Sequence, residues 1–309
     1  MKLLQDLIYK AGITEVIGTT SIEISFVCFD NRKAGKNCLF IATIGINSDG
    51  HNFIDSAIDK GAIAIVCEEL PGKIREGITY VKVTNSRIAL GFIASNYFGN
   101  PSEYLKVIGV TGTNGKTTVA TLLFNLFRNL GYNAGLISTV KNQINDEIIF
   151  ATHTTPDTIQ INAMMSQMLE DECTYCFMEV SSHSIDQNRI SGIKFTGGIF
   201  TNITHDHLDY HKTFSSYLMT KKQFFDSLTD EAFALTNIDD KNGSIMLQNT
   251  NALKRTYSLK SMSDFKCKII ENHFSGLLLN IDDQEVLCRL IGSLWGGNFV
   301  RAGKNQYSD

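Results

Sequence analysis

Apolar and polar positions along this chain fall into two rhythms, and their alternation predicts an α/β protein. Residues 3 to 10 have helical spacing, while FVCF at 26 to 29 and CLFIATIG at 38 to 45 read as strands around a polar turn. DGHNFIDSAIDKGA, 49 to 62, places Phe53, Ile54, Ala57 and Ile58 on one helical face and feeds the apolar strand AIAIVCE. TYVKV at 79 to 83 predicts another strand, and SRIALGFIASNYFG at 86 to 99 a helix that stops at Gly99-Asn100-Pro101. That punctuation predicts a domain boundary, with a small N-terminal α/β domain over 1–101 and a second domain over 102–309.

From Tyr104 onward strands and helices alternate regularly: KVIGV, a helix from about 116 to 130, NAGLIST at 133 to 139, and a helix over 155 to 171 with Pro156 in its first turn. TYCFMEVSS at 174 to 182, FTGGIFTNIT at 195 to 204, a helix over 212 to 228 and AFALTNID at 232 to 239 continue it. Such alternation implies a mostly parallel sheet covered on both faces, whose ligands gather at the carboxyl ends of its strands. The tail segments RTYSL, DFKCKIIENHF, GLLLNIDD and QEVLCRLIG predict a small antiparallel appendage, and periodicity fades after Gly292.

Composition narrows the class without naming a function. The 309 residues are 43% hydrophobic and 19% charged, which suits a folded chain with a sizeable core. A net charge of −4 argues against nucleic acid as the main partner. Asp6 interrupts the N-terminal apolar run, which is no signal peptide, and no run reaches membrane-spanning length. The seven cysteines form no framework, which points to a reducing cytoplasmic setting, and Cys173-x-x-Cys176 reads as structural.

The chemistry begins at VIGVTGTNGKTT, 107 to 118. Gly112 and Gly115 allow backbone N–H groups to converge on a phosphate, and the following helix offers the positive end of its dipole. Lys116 can reach β/γ-phosphates and Thr117 can ligate Mg²⁺. The loop is a variant, because the G-x-x-x-x-G-K-[ST] pattern asks for glycine at Val110. The polar clusters at 111–118, 179–189, 201–211 and 237–240 all follow strand ends, so one crevice should hold them.

Glu179 ends a strand otherwise too apolar for a carboxylate; it either meets a metal or partner, or faces solvent as the strand emerges. Two readings compete for His205-Asp206-His207-Leu208-Asp209-Tyr210-His211: a zinc hydrolase motif, against which Tyr210 stands where a histidine is needed, or a Mg²⁺ site with His207 as a nitrogen ligand. Lys221, fourteen residues after His207, reads from spacing alone as a solvated helical lysine.

Together these motifs resemble the Mur ligase family of ATP-dependent amino-acid ligases. T-G-T-N-G-K-T-T at 111–118, H-T-T-P-D at 153–157, M-E-V-S-S-H-S at 178–184, Q-N-R at 187–189, T-N-I-T-H-D-H-L-D-Y-H at 201–211 and N-I-D-D at 237–240 stand in the family's order. R-K-A-G at 32–35, L-F-I-A at 39–42 and D-G-H-N-F-I at 49–54 extend the likeness to the N-terminal domain, so it covers roughly residues 25 to 292.

The resemblance implies ATP bound by Gly112, Thr113, Asn114, Gly115, Lys116, Thr117 and Thr118 with Asn237 and Asp240, and Mg²⁺ ligated by Thr117, Glu179, His207 and a carbamylated Lys221. Lys116, His207 and Lys221 are the implied catalytic groups, and Asn31, Thr154, Thr155, Ser181, Gln187 and Arg189 the implied substrate contacts. Asn31 stands where the family usually has serine. The implied reaction joins a diamino acid, meso-diaminopimelate before L-lysine, to UDP-N-acetylmuramoyl-L-alanyl-D-glutamate through an acyl phosphate, in a cytoplasmic monomer without nucleic-acid or membrane partners.

The family's C-terminal domain is not recognised in this sequence, and Ser293, Leu294 and Trp295 replace its G-x-F-N-x-x-N segment. A nucleotide- and UDP-sugar-binding fragment without catalysis therefore stays open beside the ligase. A folylpolyglutamate-type ligase is the alternative within the family.

Overall fold

A computed structural model describes residues 1–45, 48–149, 156–273, 276–281 and 284–288. Its contacts divide into two compact units. One holds Met1–Lys106, Phe127–Cys176 and His183–Lys194; the other holds Val107–Leu126, Phe177–Ser182 and the described residues from Phe195 on.

In the first unit a five-stranded sheet runs in the order Ile13–Ile17, Thr79–Val83, Ala62–Cys67, Cys38–Ile41, Phe26–Cys28. Its last four strands are parallel, and Ile13–Ile17 joins them antiparallel. The period-two rule assigns the two faces. Leu39, Ile41, Ala64 and Val66 pack with Leu4, Leu7, Ala89 and Ile93 in one core. Phe40, Ala42, Ile65 and Cys67 pack with Ile54, Ala57 and Tyr80 in the other. Strands buried on both faces read as the continuous apolar runs seen in the sequence.

The Ser86–Tyr97 helix starts at Asn85, whose side chain accepts from Arg87 N and Ile88 N. At its middle Gly91 lies against the chain at Ser191: a Cβ there would stand 2.4 Å from the Ser191 carbonyl oxygen, and one on Gly192 would stand 2.8 Å from the Gly91 oxygen. The unit also contains the antiparallel strands Ala134–Ile137, Asn142–Ile144 and Glu147–Ile149, and the Thr158–Glu170 helix opened by an Asp157–Gln160 capping box.

In the second unit Lys106–Thr111, Gly197–Phe200, Phe233–Asn237 and Leu253–Ser258 are successive parallel neighbours. Phe265–His273 joins in parallel through Tyr257 and Phe265, and Gly276–Ile281 and Gln284–Cys288 add an antiparallel meander. The fold is thus α/β, with a small N-terminal domain, a mostly parallel central sheet and a small antiparallel addition.

Several expectations shift. The N-terminal helix is only Leu4–Leu7, preceded by a strand pair of Lys2–Leu3 with Glu23–Ile24, and the chain turns left-handed at Lys10. Only its inward face, Leu4, Leu7 and Ile8, is needed to plug the core. The 49–62 helix splits into a 3₁₀ turn, Gly50–Phe53, and the helix Ile54–Asp59, because the Asp49 side chain caps His51 N first. RTYSL belongs to the parallel sheet rather than the antiparallel tail, in register with Phe233–Asn237. Pro156 precedes the cap at Asp157 instead of occupying the first turn.

Candidate functional site

Strand Lys106–Thr111 runs into a loop that ends at helix Lys116–Asn129. The loop is stapled to the end of strand Gly197–Phe200: Thr113 N donates to Asn202 O (2.8 Å), Asn114 N to Asn202 Oδ1 (3.0 Å), and Thr201 Oγ1 to Asn114 O (2.7 Å). Glycine is required where these backbones meet. Gly112 has φ of +153°, and a Cβ on it would stand 1.9 Å from Thr201 Oγ1. Thr113 Oγ1 accepts from Thr204 N at 3.0 Å and shares a 3.1 Å hydrogen bond with Tyr217 OH.

Two lysines converge on one carbonyl of this loop. Lys116 Nζ donates to Gly112 O (3.0 Å) and Thr113 O (2.8 Å), and Lys221 Nζ donates to Gly112 O (2.9 Å). Lys221 projects from helix Phe214–Asp226 and is 1% exposed, with Nζ 4.7 Å from the centre of the Tyr217 ring. The solvated-lysine expectation is therefore wrong: helical spacing shows that a residue shares a face, not which face is covered. Its neighbour Lys222 is also buried but is paired with Asp226 at 2.7 Å, whereas Lys221 has no ion pair among the described residues. Burial, followed by the nearby Lys116 charge, holds the Lys221 ammonium well below the usual lysine range, with Asp206 opposing. Lys116 is lowered by burial, against the opposing charges of Glu179 and Asp206.

Glu179 ends strand Tyr175–Glu179 at 6% exposure, so it does not face solvent. The histidines of the 205–211 run face different neighbours. His205 stacks on Phe214 at 4.8 Å, and buried His211 lies 5.2 Å from the Tyr217 ring. His207 has a left-handed backbone, φ 51°, and Nε2 3.6 Å from Asp206 Oδ2. Among the described residues no three His, Cys, Asp or Glu side chains converge as a metal cluster.

Asn237 and Asp240 support the loop from behind. Asn237 Nδ2 donates to Thr201 O (2.9 Å), and Asp240 Oδ2 accepts from Ile203 N (2.7 Å). Thr117, Thr118 and Ser181 are half-buried at the starts of their helical segments. Gln187 and Arg189 are joined by a 2.5 Å hydrogen bond and line a cavity of about 710 Å³ in the first unit. Asp30, Arg32, Lys33 and Arg87 also line it. Asn31 turns away from that cavity, its Nδ2 on Ser56 Oγ at 3.3 Å. Thr154 and Thr155 lie outside the described residues.

Sequence reasoning gave no specific role to Tyr217, Thr201, Asn202 or Asp206. The i,i+4 spacing of Tyr217 and Lys221 carried a signal, since such residues share a helical face. Thr201 and Asn202 were placed near the phosphate loop by the strand-end position of the 201–211 cluster, but their hydrogen bonds to Asn114 depend on contact with a distant loop.

The donor set suits a triphosphate with Mg²⁺. One buried and one half-buried ammonium group and a helix start surround the loop, and the Thr117 hydroxyl with the buried Glu179 carboxylate supplies oxygen ligands.

Comparison with known proteins agrees with this construction. The family described as the Mur ligase middle domain matches residues 110–303, and the Mur ligase family catalytic domain matches 23–98. The UDP-N-acetylmuramoyl-L-alanyl-D-glutamate–2,6-diaminopimelate ligase of Cytophaga hutchinsonii is 53% identical over 298 residues, 96% of this chain and 61% of that relative. Its counterpart in Bacteroides fragilis is 50% identical over 297 residues, again 96% and 61%. A solved structure of a ligase of the same description, at 23% identity, superposes with a TM-score of 0.80 over 95% of this chain and 61% of the other. MurF from Acinetobacter baumannii shares the fold at a TM-score of 0.62 and 18% identity, over 94% of this chain and 61% of its own. The chain thus spans about three fifths of the length of the curated relatives it matches, 61% in both cases. By the middle-domain match over residues 110–303, this chain belongs to the Mur ligase family.

Proposed function

We propose that this chain provides the substrate- and ATP-binding parts of an ADP-forming ligase of peptidoglycan precursor synthesis, which adds a diamino acid to UDP-N-acetylmuramoyl-L-alanyl-D-glutamate. The observation that carries this is the convergence of Lys116 and Lys221 on Gly112 O, in a loop shaped for phosphate. The relatives named as 2,6-diaminopimelate ligases favour meso-diaminopimelate over L-lysine. On this reading residues 1–101 hold the UDP-muramoyl substrate and 102–309 hold ATP, in a cytoplasmic monomer. Among the described residues no helix is long and apolar enough to cross a membrane.

The chemistry joins a carboxylate to an amine. The D-glutamyl carboxylate attacks the γ-phosphorus, ADP leaves, and the amine of the diamino acid then attacks the acyl carbon and expels phosphate. Lys116 exchanges its two carbonyl acceptors for phosphate oxygens, stabilising charge as it moves toward the β–γ bridge. Thr117, Glu179 and His207 would hold Mg²⁺, which when bound neutralises the phosphate charge.

Lys221, its ammonium disfavoured by burial, would supply the neutral amine that CO₂ addition requires, with release of a proton, and its carbamate would offer Mg²⁺ an anionic oxygen ligand. Arg189 and Gln187 align the acceptor peptide, with Ser181, Thr154 and Thr155 as further contacts. Asn31, turned to Ser56, would act on the uridine end only through its backbone. Asn237 and Asp240 serve ATP by bracing residues 201–203.

The test is phosphate release by the full chain given ATP, the UDP-muramoyl dipeptide and either diamino acid. Release matched to tripeptide product, faster with meso-diaminopimelate, supports the proposal. Binding of ATP and UDP-muramoyl dipeptide with no release would leave a binding role alone. Preference for a folate over the UDP-sugar would move the chain to the folylpolyglutamate branch.

A further inference from the structure

Cysteine takes no part in the foregoing mechanism, yet two cysteine sulfurs meet in the core of the first unit. Cys28 Sγ donates to Cys38 Sγ across 3.8 Å, and Gly35 N donates to Cys38 Sγ at 3.5 Å. Both cysteines are free thiols. Cys28 ends strand Phe26–Cys28 and borders the cavity, whereas Cys38 opens the neighbouring strand Cys38–Ile41 and is fully buried. Phe26 pairs with Cys38 and Cys28 with Phe40, so the two cysteines are diagonal neighbours whose side chains share one face of the sheet.

This contact is close to a bond. A disulfide needs sulfurs about 2.05 Å apart, which leaves each sulfur about 0.9 Å to travel from 3.8 Å. Both residues stand at strand ends beside segment 29–37, where the backbone can give without breaking the sheet. The hydrogen bond from Cys28 lowers the Cys38 thiol to about 7 in spite of burial, with the Gly35 N–H helping, and raises Cys28. Near neutral pH the pair therefore shares one proton in much of the population, and one sulfur is a thiolate. Other buried thiols lack such a partner effect: burial raises Cys67 and Cys173, each to about 11, and it raises Cys176 as well.

We infer that Cys28 and Cys38 are a modification site, a thiol pair that a hydroperoxide entering the cavity oxidises to a reversible disulfide. Cys28, its proton passed to Cys38, attacks one peroxide oxygen: an S–O bond forms, the O–O bond breaks and hydroxide leaves. Cys38 then attacks the Cys28 sulfur: the S–S bond forms, the S–O bond breaks, and the departing hydroxide takes the Cys38 proton as water. The peroxide is reduced by two electrons and the two sulfurs are oxidised by two. The product ties together both ends of segment 29–37, which carries Asp30 and Lys33 of the cavity wall. Nothing in this inference depends on the ligase reading.

Hydrogen peroxide added to the full chain at neutral pH, followed by alkylation, digestion and mass spectrometry, tests it. A Cys28–Cys38 cross-link lighter by two hydrogens should appear, at least about tenfold faster than oxidation of any other cysteine. Dithiothreitol should restore both thiols. Unfolding the chain in urea before adding peroxide should abolish that lead, because the contact belongs to the folded sheet. Cys28→Ser and Cys38→Ser should each lose the cross-link and leave the remaining thiol to oxidise slowly.

Thiols at both positions that stay open to alkylation after peroxide overturn the inference. Sulfinic acid at either position without a cross-link overturns it too, as does a cross-link that forms no faster in the folded chain than in urea.

Discussion

At Gly112 two lysines, one from the loop's own helix and one from helix Phe214–Asp226, donate to main-chain carbonyls of the loop, deep enough that burial depresses both ammonium groups. In the cavity of the first unit, Lys33 and the Nη groups of Arg87 have no partner among the described residues. Both regions gather cations for an anion, yet the first is held together without ligand and the second is not. A buried ammonium needs acceptors whether or not phosphate is present, and Gly112 O and Thr113 O provide them. A half-exposed guanidinium is hydrated and can wait. Changes at the loop should therefore damage folding and binding together, and changes at the cavity rim binding alone.

The largest effect should come from Gly112→Ala. Its Cβ would meet Thr201 Oγ1, and φ of +153° disfavours any side chain. We expect a loss of stability on the order of 3 kcal/mol and no measurable ATP binding, read by chemical denaturation and calorimetry. Lys116→Ala should lower ATP affinity about 10- to 100-fold while UDP affinity stays put. A parallel fall in UDP affinity would break the separation of the two regions.

Lys221→Met sharpens the comparison through pH. With the native Lys221 ammonium held below 10.5, the folded chain gives up that proton before the unfolded chain does. Wild-type stability should therefore rise with pH between that depressed value and 10.5, a rise that Lys221→Met should flatten. Denaturation midpoints measured from neutral pH to 10.5 decide it, and identical slopes in the two proteins would refute the buried-ammonium account.

Smaller still, Gly115→Ala keeps open space around its Cβ but places alanine at φ of +85°, for a cost of about 1 to 2 kcal/mol. Asn85→Ala should cost about 1 kcal/mol through the lost helix cap, visible as a lower melting temperature.

What the sequence revealed follows the range of the forces involved. The phosphate loop was legible because glycine, lysine and threonine act there through local backbone geometry. The buried strands Cys38–Ile41 and Tyr175–Glu179 were legible because both faces are apolar. Strand Ile13–Ile17 was not, since it is mostly exposed and exists through pairing with Thr79–Val83. The hairpin of Asn142–Ile144 and Glu147–Ile149 was hidden because each strand has only three residues and its turn carries Asn145 at φ 49° rather than glycine.

The metal-side residues divide likewise. Glu179 announced itself as a carboxylate in an apolar strand. The burial of Lys221 could not be seen, because what covers it includes Tyr217 and the Gly112 carbonyl, the latter more than a hundred residues away in sequence (109). Asn237 and Asp240 were placed on the nucleotide by motif alone, while their side chains brace the neighbouring segment 201–203.

The close approach of Gly91 to Ser191 and of Gly192 to Gly91 has a consequence for how this chain can evolve. Most packed pairs drift by exchange, one side chain growing as its partner shrinks. Here the nearest atoms are the main-chain carbonyl oxygens of Ser191 and Gly91, which no side-chain exchange removes, so a second-site change cannot rescue an added methyl. A saturation scan should therefore find both positions as intolerant as those at the phosphate loop, and coevolution between them should be undetectable. Such silence would come from the absence of any allowed alternative, in a place that touches no substrate.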